Sequence, residues 1–258
     1  MTVYPDVKVN LGLSVLRKRN DGFHDLETLF VPCDAFHDEL EIEPAADGVE
    51  EFILEGGSWN PREDLTFRAY LMLKEEFGIP AAKIRLRKGS PVGAGLGGGS
   101  ADAAYAMKAL SGMFDLGLTD ADLASRVSVL GADCAFFIYD RPMLGEGKGE
   151  ILSPYDIDLS GYEIRVEIPL GCAVSTREAY STVLTREVHP ELGRMSLREA
   201  LSRPVEQWRD CLVNDFEHSV FPLHPEIDAL KKSFYDKGAV YASMSGSGAA
   251  VFGLFRRK

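Results

Sequence analysis

The segment Pro91-Val-Gly-Ala-Gly-Leu-Gly-Gly-Gly-Ser-Ala-Asp-Ala-Ala104 constrains this chain more than any other stretch of the sequence. Its glycines lead directly into a serine and an alanine-rich helical pattern. Glycine lets backbone N–H groups turn toward a ligand without a Cβ in the way. The first turn of the following helix adds N–H donors and the positive end of the helix dipole. The segment therefore predicts a cradle for an anion, and nucleotide phosphates are the anions we expect there. A flexible linker, the alternative, would contain more serine and would not end at the start of a helix.

Composition excludes several classes of partner. The chain has 258 residues, of which 45% are hydrophobic and 26% are charged, as in an ordinary globular protein of one large domain or two. A net charge of −12 argues against nucleic acid as a partner, although a small phosphorylated ligand needs only local positive charge. The sequence has no apolar run that would span a bilayer and no signal segment at its N-terminus, so we expect a cytoplasmic protein without a membrane partner.

The cysteines and histidines do not indicate a metal centre. No C-x-x-C pair is present, and reduced thiols suit a cytosolic protein. His218 and His224 are close in sequence, but Pro222 interrupts a shared helical face. We therefore predict no dedicated protein site for a metal. The cysteines are Cys33, Cys134, Cys172 and Cys211.

Hydrophobic periodicity predicts strands mixed with helices. The predicted strands are 7–16, 23–36, 38–44, 51–54, 84–88, 131–138, 163–169, 239–243 and 249–255. The predicted helices are 64–77, 104–114, 120–129, 175–184, 196–201, 211–220 and 225–237. Strands and helices do not alternate strictly, so the pattern favours an α+β fold. A plausible junction near 156–161 divides the chain into residues 1–157 and 158–258.

Three phosphate-binding patterns compete for the glycine segment. A P-loop requires a lysine after the last glycine, and none is present. Gly93, Gly95 and Gly98 satisfy the dinucleotide-binding pattern G-x-G-x-x-G, which leaves a dehydrogenase as a distant alternative. The short, charged strand 84–88 suits a buried parallel strand poorly. The pattern P-x-G-x-G-L-G-[GS]-S-[AS] fits residues 91–101 closely.

That third pattern resembles the nucleotide loop of the GHMP kinases, and two further segments support the resemblance. Residues 5–13, with Lys8 and Asn10, resemble the N-terminal motif of the family, and residues 245–252 resemble its third motif. The resemblance implies a two-domain α+β fold with an N-terminal domain like domain 2 of ribosomal protein S5 and a C-terminal ferredoxin-like α/β sandwich. It also implies a small-molecule kinase that uses ATP and Mg²⁺, with ATP bound mainly by residues 1–157 and the substrate side formed by residues 158–258.

Within the family the match is sharper for kinases of the non-mevalonate route to isoprenoid precursors, whose substrate is a cytidine-diphosphate-linked sugar alcohol. The segments that carry this likeness are 19–24, 26–28, 131–133, 145–150 and 214–217. A mevalonate-type or homoserine-type kinase is the alternative, but those acceptors carry no nucleobase for a segment such as Asp21-Gly-Phe-His24. A regulatory module that binds nucleotide without catalysis is a third possibility, against which Lys8 and Asp133 count.

The resemblance assigns roles to individual residues. Lys8 and Asp133 are the expected catalytic pair. The expected ATP contacts are Lys88, Pro91, Gly93, Gly95, Leu96, Gly97, Gly98, Gly99, Ser100 and Asp102. The expected substrate contacts are Asn10, Phe23, His24, Ser175, Thr176, Gly246 and Gly248.

The residues alone leave simpler interpretations open. Lys8 could be an exposed strand lysine, Asp133 a turn aspartate and Ser100 a helix N-cap. Phe23 could be a core residue, and His24 a turn histidine. Asp102 departs from the family pattern, in which a side-chain amide is common. A carboxylate near phosphates requires Mg²⁺ or a neighbouring cation.

Overall fold

The computed structural model describes residues 1–193 and 195–257 and has the expected α+β composition. The strands are β1 (Thr2–Val3), β2 (Asp6–Lys18), β3 (His24–His37), β4 (Glu39–Pro44), β5 (Glu51–Glu55), β6 (Ala82–Arg87), β7 (Met143–Glu146), β8 (Ile151–Pro154), β9 (Tyr162–Glu167), β10 (Tyr241–Met244) and β11 (Val251–Arg256). The helices are α1 (Leu65–Phe77), α2 (Gly98–Met113), α3 (Asp120–Val127), α4 (Cys134–Tyr139), α5 (Thr176–Ser181), α6 (Leu197–Leu201), α7 (Trp208–Cys211), α8 (Glu217–Val220) and α9 (Pro225–Asp236). Short 3-10 turns occur at Pro61–Glu63, Pro190–Gly193 and Val205–Gln207.

Neighbouring Cα atoms group the chain into two compact units, each built from separate segments. The first unit contains Met1–Val7, Phe36–Val92 and Gly97–Arg141. The second contains Lys8–Ala35, Gly93–Leu96 and Pro142–Lys258. The division into residues 1–157 and 158–258 stays a prediction. None of the described helices combines the length and apolar composition needed to cross a bilayer.

The first unit packs helices on a four-stranded sheet with the order β1-β4-β6-β5. Strands β4 and β6 are antiparallel, whereas β5 runs parallel to β6. The Asp64 carboxylate caps α1 by accepting the Thr66 N–H at 2.8 Å, and Gly78 ends the helix in a left-handed conformation. Helix α1 packs against α2, and α2 contacts β4, which places the helix after the glycine segment in the core of this unit.

The second unit contains two antiparallel sheets, with the orders β2-β3-β7-β8 and β10-β11-β9. Helix α9 packs against β10 and β11. Aromatic and aliphatic side chains from several elements form one buried cluster, which includes Leu13, Phe216, Phe234 and Val251. Residues 147–150 form a hairpin tip, because β7 and β8 pair on either side of them.

Two predicted elements are wrong. Residues 134–139 form helix α4 rather than the end of a strand, and five of the six are buried. An apolar run that is buried on every side carries no periodicity that separates helix from strand. The predicted helix 211–220 is interrupted, because α7 ends at Cys211 and Asn214 forms a bridge with Leu13 of β2 before α8 begins. Tertiary pairing with β2 therefore overrides local helix propensity here.

Candidate active site

The glycine segment follows β6 and ends at α2, as the sequence predicts for a phosphate loop. Gly93, Gly95 and Gly97 have φ values of 70°, 79° and 75°, a region that side chains rarely adopt. A Cβ on Gly95 would lie 2.1 Å from the carbonyl oxygen of Ser245, so no other residue fits there. In contrast, a Cβ on Gly93 or Gly99 would meet nothing within 4 Å. Internal packing therefore does not explain these two glycines, and open space lies beside them.

The loop that carries Asp133 lies beside the first turn of α2. Ser100 is the third residue of that helix, and the N-cap is Gly97, so the N-cap interpretation of Ser100 is wrong. A Cβ on Gly131 would come within 3.7 Å of the Ser100 hydroxyl oxygen. Burial raises the pKa of the Cys134 thiol to about 11, while a hydrogen bond with Ser100 partly offsets this rise. Asp133 itself begins α4 from its N-cap position.

Lys8 is a buried cation and not an exposed strand lysine, because only 2% of its surface is exposed. Its Nζ donates to Asn10 Oδ1 at 2.6 Å and to the Gly95 carbonyl at 3.0 Å. The Asn10 amide nitrogen donates in turn to Thr28 Oγ1 at 3.0 Å. Ser245 Oγ also donates to the Gly95 carbonyl, at 3.0 Å. These hydrogen bonds fix the position of the Lys8 ammonium group.

The second glycine-rich loop, residues 243–248, is held by a side chain that the sequence indicated only through resemblance. The Asn214 amide nitrogen donates to the carbonyls of Met244 and Gly246, each at 2.8 Å. Gly246 has a φ of 55° and Gly248 a φ of 93°. A Cβ on Gly248 would lie 2.8 Å from the Met244 sulfur. The loop therefore requires glycine for its own packing as well as for any approach of a ligand.

Aromatic rings are exposed near the predicted nucleobase segment. Phe23 is 57% exposed, so it is not a core residue. The Lys148 Nζ lies 4.7 Å from the centroid of its ring. The His24 ring lies 5.0 Å from the ring of Tyr180 at an angle of 31°. Burial lowers the pKa of His24, and the nearby charge of Lys18 lowers it further. Sequence reasoning missed Tyr180, because it lies more than 150 residues away in the chain.

The predicted substrate contacts in α5 are accessible. Ser175 caps the helix by accepting the Glu178 N–H at 3.1 Å. Ser175 and Thr176 are both exposed. Their contact with the phosphates or hydroxyls of a substrate stays a prediction.

Lys88 lies in a buried cluster with two carboxylates, and only 3% of its side chain is exposed. Its Nζ is bonded to Asp38 and also to Asp102, the latter at 2.6 Å. Asp38 Oδ1 accepts the N–H groups of Gly89 and Ser90, each at 2.7 Å. The Oδ1 atom of Asp102 is buried without a hydrogen-bond partner in the part of the chain that is described. The predicted contact of Lys88 with a nucleotide stays a prediction, and sequence reasoning missed Asp38.

The pKa values of the two carboxylates in this cluster shift in opposite directions. Burial raises the pKa of Asp38, but hydrogen bonds from Lys88 and Ser90 outweigh burial and lower it. Burial holds the pKa of Asp102 well above its usual value, against the attraction of Lys88. Lys88 is therefore the neighbouring cation that a carboxylate at position 102 requires. The main counter-ion of Lys88 is Asp38.

We expect Asp102→Asn to leave the free energy of unfolding within about 1 kcal/mol of the parent value, or to raise it, because one ammonium group then balances one carboxylate. Asp38→Asn is the matched control and should cost about 2 kcal/mol or more, since charged hydrogen bonds are lost. The pKa of Asp102 is higher in the folded state, so its ionisation opposes folding as pH rises. The benefit of Asp102→Asn should therefore be larger at about pH 8 than at about pH 5 in urea unfolding. Equal losses in both variants would contradict this assignment.

Comparison with known proteins agrees with the fold and the motifs. Residues 64–141 match the model of the GHMP kinase N-terminal domain, and residues 187–258 match that of the GHMP kinase C-terminal domain. A curated protein of Bacteroides fragilis, 4-diphosphocytidyl-2-C-methyl-D-erythritol kinase, is 47% identical over 99% of this chain and 92% of its own length.

Solved structures give the same picture. A crystal structure of 4-(cytidine 5'-diphospho)-2C-methyl-D-erythritol kinase is 35% identical with a TM-score of 0.81, covering 98% of this chain and 90% of that one. A homoserine kinase from Cytophaga hutchinsonii, 19% identical with a TM-score of 0.71 over 98% of this chain and 86% of its own, shares the fold alone. The chain thus belongs to the GHMP kinase family and is a small-molecule kinase.

Proposed function

We propose that this chain transfers the γ-phosphoryl group of ATP to the 2-hydroxyl of 4-diphosphocytidyl-2-C-methyl-D-erythritol, a step of the non-mevalonate route to isoprenoid precursors. The observation that carries the proposal is the 47% identity, over 99% of this chain, to a kinase of that name. The exposed aromatic side chain next to His24 supports it, because the acceptors of mevalonate-type and homoserine-type kinases carry no nucleobase to stack on such a ring.

The glycine segment is the proposed site of the ATP phosphates. Gly99 is the second residue of α2, and glycine has a lower helix propensity than alanine. No internal contact requires this glycine, so close approach of a ligand is the remaining physical reason for it. Mg²⁺ would arrive with the nucleotide and neutralise phosphate charge, with the Ser100 hydroxyl as the nearest proposed protein ligand.

Lys8 and Asp133 are the proposed catalytic residues. The Asp133 carboxylate accepts the proton of the acceptor hydroxyl, whose oxygen attacks the γ-phosphorus. The bond from that phosphorus to the bridging oxygen breaks, and ADP leaves with the electron pair. The Lys8 ammonium group stabilises the negative charge that develops on the attacking oxygen. The ammonium group needs little reorganisation to do so, because hydrogen bonds to Asn10 and to the Gly95 carbonyl already hold it in place.

Asn10 supports the reaction through Lys8 in this proposal. It is 1% exposed, and its amide bonds to Lys8 and to Thr28. This engagement favours a positioning role over direct orientation of the acceptor. Gly246 and Gly248 are proposed to contact the substrate through their backbone atoms. The Asn214 side chain holds the loop that carries them.

The cytosine base is proposed to stack on Phe23 and to present its edge to His24. Phe23 offers an exposed face, and Lys148 lies over the same ring. The tilted contact with Tyr180 orients the His24 ring, and Tyr180 packs edge-on against the buried Phe216. The position of His24 is therefore supported by the core of the second unit.

We expect the purified chain to consume ATP with 4-diphosphocytidyl-2-C-methyl-D-erythritol and to give a product that is heavier by one phosphoryl group. Parallel reactions contain mevalonate or homoserine as the acceptor. ADP release and mass spectrometry of the acceptor provide independent readouts. ATP consumption with mevalonate or homoserine, but not with the cytidyl-linked alcohol, would overturn the substrate assignment.

Lys8→Ala and Asp133→Ala should each lower kcat by at least about a hundredfold, because each removes a group that acts on the reacting oxygen. Lys232→Ala, which removes an exposed lysine of α9, is the control and should retain normal turnover. Circular dichroism and thermal unfolding test whether the variants fold. Near-normal kcat in both folded variants would show that these residues are not catalytic.

Phe23→Ala should raise KM for the cytidyl-linked substrate by about tenfold or more, since stacking on an aromatic ring is worth about 1–3 kcal/mol per base. KM for ATP should not change. Val49→Ala removes another exposed apolar side chain and serves as a control. A rise in both KM values, or no rise in either, would argue against a base platform at Phe23.

A further inference from the structure

Cys172, His224 and Glu226 form a cluster to which the kinase reaction gives no role. We propose that they bind a divalent transition metal ion of borderline softness, such as Zn²⁺. Cys172 lies in the loop after β9, His224 is the N-cap of α9, and Glu226 lies in the first turn of that helix. One ligand atom from each side chain lies within 4.8 Å of the others. Across residues 1–193 and 195–257, no second trio of Cys, His, Asp or Glu side chains comes as close.

The distances suit a shared ion. The Cys172 Sγ is 3.9 Å from His224 Nδ1, and that nitrogen is 3.5 Å from Glu226 Oε1. In a tetrahedral zinc site, bond lengths of about 2.3 Å to sulfur and about 2.0–2.1 Å to nitrogen and oxygen put neighbouring ligands about 3.3–3.6 Å apart. The cluster therefore needs shifts of a few tenths of an ångström between these pairs. Glu226 is 47% exposed, so its side chain has room to make them.

A fourth side chain orients the histidine as metal sites require. His224 Nε2 lies 3.1 Å from Glu178 Oε1 of α5. When Nε2 carries the proton and donates to this carboxylate, Nδ1 presents its lone pair toward Cys172 and Glu226. A carboxylate on the far nitrogen of a ligating histidine is the usual outer contact of a zinc site, because it fixes the tautomer and raises ligand basicity.

The chain contains an internal comparison for this site. His189-Pro190-Glu191 repeats the tripeptide His224-Pro225-Glu226. Its histidine and glutamate also form a pair, with Nδ1 and Oε1 3.0 Å apart, but no described cysteine completes a trio there. A plain ion pair accounts for the first tripeptide. The second tripeptide differs because the Cys172 thiol and the Glu178 carboxylate also lie beside its histidine.

The chemistry of the donors separates this ion from the magnesium of a kinase reaction. Mg²⁺ prefers oxygen ligands and binds thiolates poorly, whereas Cys, His and Glu suit Zn²⁺. A bound ion would connect the loop after β9 to the start of α9. Through Glu178 it would also reach α5, which carries Tyr180 and is capped by the exposed Ser175. Metal binding would thus stabilise the helix that supports His24.

The test titrates the untagged, reduced full chain with Co²⁺ and then with Zn²⁺, without ATP. We expect a 1:1 complex with a thiolate-to-cobalt charge-transfer band that Zn²⁺ abolishes, and a rise in Tm with Zn²⁺. Cys172→Ser should remove the band. His224→Gln should weaken Zn²⁺ binding at least about tenfold, and Glu178→Gln should weaken it about 10–100-fold while the band remains.

Matched controls are Cys211→Ser, which alters another half-buried thiol, and His189→Gln, which alters the other tripeptide. Both should bind Co²⁺ and Zn²⁺ as the parent does. No charge-transfer band, or a band that survives Cys172→Ser, would overturn the proposal and leave the cluster as an ion-pair network. Because neither readout uses ATP or an acceptor, failure here is distinguishable from failure of the proposed kinase reaction.

Discussion

The buried ammonium group of Lys8 is the constraint on which the candidate site depends. A charge removed from water is strongly unfavourable unless hydrogen-bond acceptors surround it. Here the acceptors include Asn10 Oδ1 and the carbonyl of Gly95. The same carbonyl accepts the Ser245 hydroxyl, and Asn214 holds the loop on which Ser245 lies. Hydrogen bonds to the Lys8 ammonium group and to the Gly95 carbonyl therefore link segments that are far apart in the sequence. The lysine is preorganised as a consequence, and a preorganised charge is what stabilisation of a developing anion requires.

A second buried lysine lies just before the glycine segment and is paired with different partners. Lys88 faces two carboxylates, of which Asp38 stays ionised because it also accepts hydrogen bonds from the backbone. Asp102 lies in the second turn of α2 and has its pKa raised by burial. This cluster ties the start of α2 to the residues after β6. Lys8 bonds to a carbonyl within the glycine segment, and Lys88 bonds to carboxylates beside its start. These buried hydrogen bonds help to give a loop so rich in glycine a defined shape.

The sequence predicted motifs better than it predicted contacts. Strand β2 and helix α1 follow from local patterns, and both were predicted close to their observed bounds. Asp133 was expected within the predicted strand 131–138 but begins helix α4, since the apolar run after it is buried on all sides. Asp38 and Tyr180 were missed. Their roles arise from side chains 50 and more than 150 residues away, which periodicity cannot report. The position of Asn214 beside Leu13 is likewise a product of tertiary pairing.

In the proposed reaction, the Lys8 ammonium group and the Asp133 carboxylate act on the same acceptor oxygen. A crystal structure with a non-hydrolysable ATP analogue and 4-diphosphocytidyl-2-C-methyl-D-erythritol tests it most directly. The account predicts that the 2-hydroxyl oxygen lies about 3 Å from Lys8 Nζ and about 3 Å from an Asp133 carboxylate oxygen, facing the γ-phosphate. A complex in which that hydroxyl binds out of reach of both side chains would contradict the account.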